Sequence, residues 1–361
     1  TDHDPRRRAT SCGPYTSRDM CRALIAEVQR RNIPVHEQQI AVKLLTDAEK
    51  KRCTGAVFAN RITGQFEAVI ADHVVFAVGG PGGLYETSVY PKVHTGAIGL
   101  ALEAGAEARN LAESQYGLAS LKFRWNVSGS YMQVLPRFVS VDQDGTEREF
   151  LREYFDSPAA MYDMIFLKGY QWPFAAGHVP GSSLIDIFTY VETVERGRRV
   201  YLDYRSDPAD FRFEALNEET RNYLIRSDAA GNTPLERLEK LNAPAIELYA
   251  AHGIDLRTEM LEIAVCAQHN NGGLDIDCWW QTNLKGFFAV GEVAAVDVGG
   301  AARSGHEVHG NGGEPLRRAA LKEQHGIVVR HTHQLAHEGD GFLIDGEVHL
   351  GTVAHLHDRH A

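Results

Sequence analysis

Three short segments combine glycine with a residue that could contact a ligand. HVVFAVGGPGG places Gly79 and Gly80 after an apolar run, and FFAVGEV places Gly291 and Glu292 after a second run. CAQHNNGG carries His269 between an apolar stretch and a glycine pair. A phosphate or a flavin edge can approach a glycine backbone closely, because glycine has no Cβ. Glutamate could accept hydrogen bonds from ribose or ribityl hydroxyls, and histidine could donate to a carboxylate.

Each segment taken alone also has an ordinary structural interpretation. Gly79 and Gly80 are typical of a tight turn at the end of a buried strand. Glu292 could be a solvated carboxylate at a strand end, and His269 could be a histidine that only satisfies a hydrogen bond in the fold. The shared order of the three segments is therefore more informative than any one of them.

The surrounding pattern predicts the elements that must position these residues. Residues 74–78 are continuously apolar, as in a strand of a buried parallel sheet, and short, mainly apolar stretches recur at Leu261–Ala267 and Phe287–Val290. Polar or glycine-containing breaks separate the elements. The pattern predicts an amphipathic helix over 17–31 with Ser17 as N-cap, strands over 34–37, 40–46, 54–60 and 65–71, and a small-residue helix over 94–108.

A change in composition near residue 110 predicts a separate domain. Aromatic clusters and amphipathic helices characterise 111–260, and from 261 the composition is again that of the first region. The predicted fold class is α/β, with a partial Rossmann-like domain and a β-meander, interrupted by an α+β capping domain. The predicted boundaries are 1–110 and 261–300 for the first domain, 111–260 for the capping domain and 301–361 for an atypical tail.

Composition excludes several classes of function. The chain has 361 residues, 37 Lys and Arg against 48 Asp and Glu, and a formal charge of -11, which argues against nucleic-acid binding. No apolar run approaches about 18 residues, so we expect no transmembrane segment. The N-terminus has no apolar core typical of a secretory signal. Five cysteines without a C-x-x-C pair favour reduced thiols, and thus a cytoplasmic location.

The tail after Gly300 is rich in histidine. His331, His333 and His337 have spacings that could hold zinc, nickel or copper on a strand or helix. Apolar periodicity is weak in this segment, so a disordered tail is the prediction and no metal ligand is assigned. A metal-binding tail is the alternative.

The ordered segments resemble the flavoprotein subunits of fumarate reductase and succinate dehydrogenase, with L-aspartate oxidase and related FAD-dependent oxidoreductases. HVVFAVGGPGG and the Thr95-Gly96 start of the next helix are similar to the family's strand, its ATGG-like turn and its TGDG helix start. AQHNNGGLDIDCWWQTNLKGFFAVGEV is similar to its histidine and glycine-pair segment and its G-E strand. The resemblance covers about 35–300.

The resemblance implies a Rossmann-like FAD-binding domain with a capping domain, and substrate held between them. It implies hydride transfer between flavin N5 and a substrate carbon, with a carboxylate-bearing small molecule as substrate and an electron-transfer partner. It implies catalytic roles for His269, at the substrate carboxylate, and for Arg303, as the substrate-binding arginine. The implied FAD contacts are Ala41 (adenine, through its backbone), Val78, Gly79, Gly80, Thr95, Gly96, Gly291 and Glu292.

The chain also departs from the family pattern. It contains no G-x-G-x-x-G turn, so the sequence predicts a fragment with reduced FAD affinity. Ala97 follows Thr95-Gly96 where the family has an acid, and SSLIDIFTY keeps Asp186 but lacks the preceding arginine that donates a proton. A non-catalytic α/β fragment or interaction protein is therefore the alternative function.

Overall fold

The computed structural model describes residues 12–91 and 96–295, and the backbones of four further strands between residues 326 and 355. The α-helices are α1 Thr16–Arg30, α2 Ile98–Ala104, α3 Ser130–Gln133, α4 Pro158–Tyr170, α5 Leu184–Tyr190, α6 Glu218–Arg226 and α7 Pro234–Ala251. Short 3-10 helices include Gly82–Leu84, Phe150–Glu153, Ala176–His178, Phe213–Ala215 and Gly291–Val293, and a π-helical turn spans Val191–Glu195.

The strands fall into two main regions. The first contains β1 Gln39–Thr46, β2 Cys53–Asn60, β3 Phe66–Ile70, β4 His73–Ala77 and β13 Phe287–Ala289. The second contains β6 Ser114–Ser120, β7 Trp125–Asn126, β8 Arg137–Val141, β9 Glu147–Arg148, β10 Arg199–Asp203 and β11 Leu261–Asn270. The others are β5 Ala108–Arg109, β12 Gly273–Leu274, β14 Gly326–Arg330, β15 Ala336–His337, β16 Phe342–Leu343 and β17 Thr352–His355.

The predicted meander is confirmed as the antiparallel sheet β1-β2-β3. Beside it, β4 pairs in parallel with β13, with Phe287 opposite Val74 and Ala289 opposite Phe76. These four side chains are fully buried, whereas His73, Val75 and Ala77, which alternate with them along β4, are only partly buried. The backbone of β14 pairs in parallel with the other edge of β4. The carboxyl ends of β4 and β13 therefore lie side by side, and both lead into glycine.

The second region is a six-stranded sheet in the order β7-β6-β11-β10-β8-β9. One apolar core packs this sheet with α4 and α7, and it includes Leu118, Phe166, Tyr249 and Ile263. The long strand β11 belongs to this sheet, and its C-terminal end brings His269 back towards β13. The structure thus has the mixed α/β fold that the sequence predicts, while the domain boundaries themselves stay predictions.

Three predicted elements differ from the structure. The helix predicted over 94–108 is described only as α2, because Gly105 takes a left-handed φ of +99° that ends it. His36 forms only an isolated bridge, so no strand spans 34–37. In α1, Tyr15 rather than Ser17 is the N-cap, and the helix buries no residue.

No helix among the described residues is long and apolar enough to cross a membrane. Within the same residues, no group of three or more His, Cys, Asp or Glu side chains is arranged to hold a metal ion. The side chains of His331, His333 and His337, which carried the alternative of a metal-binding tail, lie outside the described residues.

Candidate functional site

The first glycine turn of the site follows β4 directly. Gly79 has a φ of +78°, in the left-handed region that glycine adopts without strain. A Cβ on Gly80 would lie 2.6 Å from Cδ of Glu292, which is closer than side chains pack. The absence of a side chain at Gly80 is therefore what allows Glu292 to approach this turn.

Glu292 is the centre of a contact among three chain segments. The backbone N–H of Gly80 donates to Glu292 Oε2 at 3.2 Å, and His269 Nδ1 lies 2.5 Å from Glu292 Oε1. His269 lies near the end of β11, and Glu292 lies in the 3-10 helix after β13. The fold thus brings together the three segments that the sequence singled out, although Gly80 and Glu292 are 212 positions apart.

Burial dominates the electrostatics of this contact. It raises the pKa of the Glu292 carboxyl to about 7, although the N–H groups of Gly80 and Asn270 oppose the shift. Burial also lowers the pKa of His269, because a protonated imidazole loses hydration there. While the Glu292 carboxyl is protonated, the two groups therefore hold one proton between Oε1 and Nδ1.

The second ring nitrogen of His269 has no partner among the residues that the structure describes. Nε2 is buried and makes no hydrogen bond there. When protonated Glu292 donates to Nδ1, the proton of the neutral imidazole resides on Nε2. His269 then presents a buried N–H donor, which suits a carboxylate or carbonyl oxygen.

At the remaining glycines of the site, the absence of a side chain allows two backbone segments to pack closely. A Cβ on Gly96, whose φ is +72°, would lie 3.0 Å from the carbonyl oxygen of Gly80. A Cβ on Gly272 would lie 2.1 Å from the carbonyl oxygen of Asn110, and one on Gly273 would lie 2.4 Å from that of Val293. These glycines hold the ends of β4, β11 and β13 against one another.

The other predicted site residues have separate positions. Val78 is buried at the end of β4, and Gly291 has a φ of +75° with open space where a Cβ would lie. Ala41 lies in the meander opposite Phe58, and it takes no part in the hydrogen bonds around Glu292. Thr95 and Arg303 lie outside the described residues.

The sequence interpretation missed a hydrogen-bonded group beside His269. Asn270 Nδ2 donates to Ser114 Oγ at 3.0 Å, and the Tyr85 hydroxyl lies 2.9 Å from the same oxygen. Asn270 Oδ1 accepts from Gly272 N at 2.7 Å, which fixes the amide orientation. Tyr85 lies in the loop between Gly80 and Gly96, but local sequence does not show that β6 brings Ser114 to it.

The capping region holds a buried ion pair at Asp186, next to the position where the sequence lacks the family's proton-donating arginine. Asp186 pairs with Lys168, and both side chains are almost completely buried. Burial lowers the pKa of Lys168 and raises that of Asp186. Arg137 is paired with Glu149 and Asp203, so it is a structural residue of the sheet.

Comparison with known proteins decides the family. The sequence profile of the family described as "FAD binding domain" matches residues 2–307, which include all three glycine segments. The chain belongs to this FAD-binding family. FAD is thus the cofactor of the fold, and the predicted resemblance is confirmed.

Curated relatives are similar over most of the chain. L-aspartate oxidase of Streptomyces coelicolor is 28% identical over 306 residues, which cover 83% of this chain and 45% of that protein. A fumarate reductase (CoM/CoB) polypeptide of Methanothermobacter marburgensis is 25% identical over 304 residues, covering 83% and 47% respectively. The chain spans about half the length of the curated relatives it matches.

Solved structures give weaker similarity. A quinol-fumarate reductase with menaquinol molecules has a TM-score of 0.46 and 22% identity, covering 71% of this chain and 40% of that chain. The open conformation of a flavocytochrome c3 fumarate reductase has a TM-score of 0.43 and 16% identity, covering 79% and 51%.

Proposed function

We propose that this chain acts in an FAD-dependent oxidoreductase that transfers hydride between the flavin and a substrate carbon next to a carboxylate. The observation that carries the proposal is the contact among Gly80, His269 and Glu292 at the ends of β4 and β13. It lies inside the region that matches the FAD-binding family. We also propose that an electron-transfer partner restores the oxidation state of the flavin. Each hydride transfer with the substrate changes that state, so the flavin must be reoxidised or reduced before the next turnover.

The residues present fit a flavin cofactor. His269 Nε2 is a buried polar atom without a partner in the described chain, which a bound ligand would satisfy. Glu292 Oε2, which accepts the Gly80 N–H, can accept a second hydrogen bond from a ribose or ribityl hydroxyl. Gly291 leaves open space beside Glu292. FAD, when bound, supplies the hydride donor or acceptor, and the protein supplies orientation and charge.

In this proposal each group of residues contacts a different part of the cofactor or the substrate. Gly79, Gly80 and Gly96 allow close approach of the diphosphate side, Val78 and Thr95 are further predicted FAD contacts, and the backbone of Ala41 contacts adenine. Glu292 and Gly291 hold the hydroxyl-bearing chain. His269 Nε2 donates to the substrate carboxylate, and Arg303 supplies its positive charge.

A flavin titration tests the proposal directly. The full chain is titrated with FAD, and binding is followed by quenching of flavin fluorescence. We expect Glu292→Ala and Gly80→Ala to weaken binding at least tenfold, because the first removes the acceptor and the second displaces it. Gly99→Ala is the matched control, since a Cβ on Gly99 would meet no atom within 4 Å.

The outcome separates the two functions that the sequence left open. Saturable binding that both site variants weaken, and Gly99→Ala does not, supports the oxidoreductase. No binding by the wild-type chain supports the non-catalytic fragment. For the substrate class, chemically reduced FAD-loaded chain is mixed with unsaturated carboxylates and with their amides. Reoxidation by the amides at equal rates would rule out the carboxylate contact.

A further inference from the structure

Two buried polar side-chain atoms lie beside Gly117 of β6. The indole Nε1 of Trp172 would lie 2.7 Å from a Cβ on Gly117, and Cγ of Gln268 would lie 3.4 Å from it. Trp172 Nε1 and Gln268 Oε1 are shielded from solvent, and neither makes a hydrogen bond to any residue that the structure describes. Buried polar groups are almost always hydrogen-bonded, so a donor and an acceptor left over at one place indicate that a ligand completes them.

The chain holds both side chains in position. Gln268 is 5% exposed, and its Nε2 donates to Gly117 O at 3.0 Å, which fixes the amide so that Oε1 is the atom left without a partner. Phe174 N donates to Tyr116 O at 2.7 Å and ties the loop that carries Trp172 to β6. The donor and the acceptor are therefore built into the fold.

This pair of atoms lies on the face of the sheet that carries His269. His269 is opposite Gln115 in the pairing of β11 with β6, and directly opposite residues share a face. Gly117 lies two residues further along β6, so the side chain it lacks belongs to the same face. Two residues of a strand span about 7 Å. A short ligand whose carboxylate accepts from His269 Nε2 can therefore reach Trp172 and Gln268 with its other end.

The pair determines which kind of chemical group fits beside Gly117. Trp172 Nε1–H requires an acceptor, and Gln268 Oε1 requires a donor. A carboxamide or a hydroxyl group supplies both, whereas a carboxylate has no proton for Gln268 and is repelled by the amide oxygen. The guanidinium of Arg124 lies within electrostatic reach of Cys266, opposite Gly117, but it donates to two carbonyl oxygens of the loop before α2, at 3.1 and 2.7 Å. Those donors are therefore used by the fold.

We propose that Trp172 and Gln268 are specificity-determining residues, which bind a neutral carboxamide or hydroxyl group at the end of the substrate remote from its carboxylate. The inference rests on the proposed function, in which His269 binds that carboxylate. Gly117 is a requirement of the arrangement, because a Cβ there would displace the indole. The site thus discriminates against a substrate with two carboxylates.

Binding of matched probes tests the subsite without turnover. Succinamate combines a carboxylate with a carboxamide, γ-hydroxybutyrate combines a carboxylate with a hydroxyl, and succinate has two carboxylates. The chain has four tryptophans, whose indole N–H groups give separate NMR signals, and Trp172→Phe identifies the signal of Trp172. We expect succinamate or γ-hydroxybutyrate to shift this signal saturably and to bind roughly tenfold more tightly than succinate. The tighter of the two identifies the group. Equal or tighter binding of succinate overturns the inference, as does a Trp172 signal that no probe shifts.

A variant separates recognition from structural support. Affinities measured by calorimetry should show that Trp172→Phe binds the preferred probe about tenfold more weakly and succinate equally well. An equal loss for both probes overturns the inference, because Trp172 would then only support the fold. Trp279→Phe is the matched control, since Trp279 is 48% exposed and follows β12.

The titrations are made on the full chain with and without FAD, so that the two proposals can fail separately. A wild-type chain that does not bind FAD refutes the proposed function, and the Trp172 signal of the FAD-free chain still decides whether the subsite exists. FAD binding without any preference among the probes overturns the subsite and leaves the oxidoreductase intact.

Discussion

The Glu292 carboxyl should make the stability of the protein depend on pH in an unusual direction. Its side chain is 22% exposed, and burial raises its pKa to about 7 from an ordinary value of 4.5. Between these two values the folded chain keeps a proton that the unfolded chain has released. Because the folded state then binds more protons, the free energy of unfolding falls as pH rises through this window.

The size of the effect follows from the shift. A difference of about 2.5 pKa units corresponds to roughly 3 kcal/mol, of which about 2.5 kcal/mol falls between pH 5 and pH 8. The lowered pKa of His269 acts in the opposite direction, since the unfolded histidine binds a proton that the folded one does not. The wild-type curve alone therefore mixes the two contributions.

Comparison with Glu292→Gln isolates the carboxyl. Urea unfolding is followed by tryptophan fluorescence at pH 5, 6, 7 and 8 for both chains. We expect the stability of the wild type relative to Glu292→Gln to fall by about 2.5 kcal/mol from pH 5 to pH 8. Glu103→Gln, at an exposed position of α2, should show no such trend. A relative stability that stays constant or rises between pH 5 and pH 8 would refute the reasoning, because the pKa of the Glu292 carboxyl would then lie at or below its ordinary value.

Three further predictions concern the rest of the chain. Lys168→Met should lower the free energy of unfolding by about 3–5 kcal/mol, because it leaves Asp186 buried without its partner, and Lys168→Met with Asp186→Leu should recover most of the loss in urea unfolding. Arg124→Gln should speed proteolysis of the loop at Glu86–Tyr90, where Arg124 donates to two carbonyl oxygens, and unchanged cleavage would contradict this. Cys12 and Cys278 should react quickly with a thiol reagent, whereas Cys266, whose pKa burial raises to about 11, should react only after unfolding.

The sequence predicted the strands of the site because local composition determines them. Residues 74–78 and Phe287–Ala289 are apolar without interruption, a pattern typical of strands in a buried parallel sheet. Each run ends in glycine, so the turn after it was also predictable. The length of α2 was overestimated, because Ala104 continues the small-residue pattern while the conformation of Gly105 ends the helix.

The orientation of side chains in the site depends on pairing that local sequence does not contain. His269 lies opposite Gln115 only because the register of β11 against β6 shifts between Ala267 and His269. That shift turns the imidazole to Glu292 and places Asn270 at Ser114. The partners lie 23 to 156 positions apart, so periodicity and composition could identify the residues but not which of them touch.

The proton shared by Glu292 and His269 couples the proposed cofactor contact to the proposed substrate contact. While Glu292 is protonated it donates to His269 Nδ1, and Nε2 carries the hydrogen that a carboxylate can accept. Once the pair loses this proton, Nδ1–H donates to the carboxylate of Glu292 and Nε2 keeps a lone pair, which repels a substrate carboxylate. Because the pKa of Glu292 lies at about 7, this exchange falls near neutral pH. Glu292 therefore does more than accept a hydroxyl group: its protonation state determines whether His269 is a donor or an acceptor.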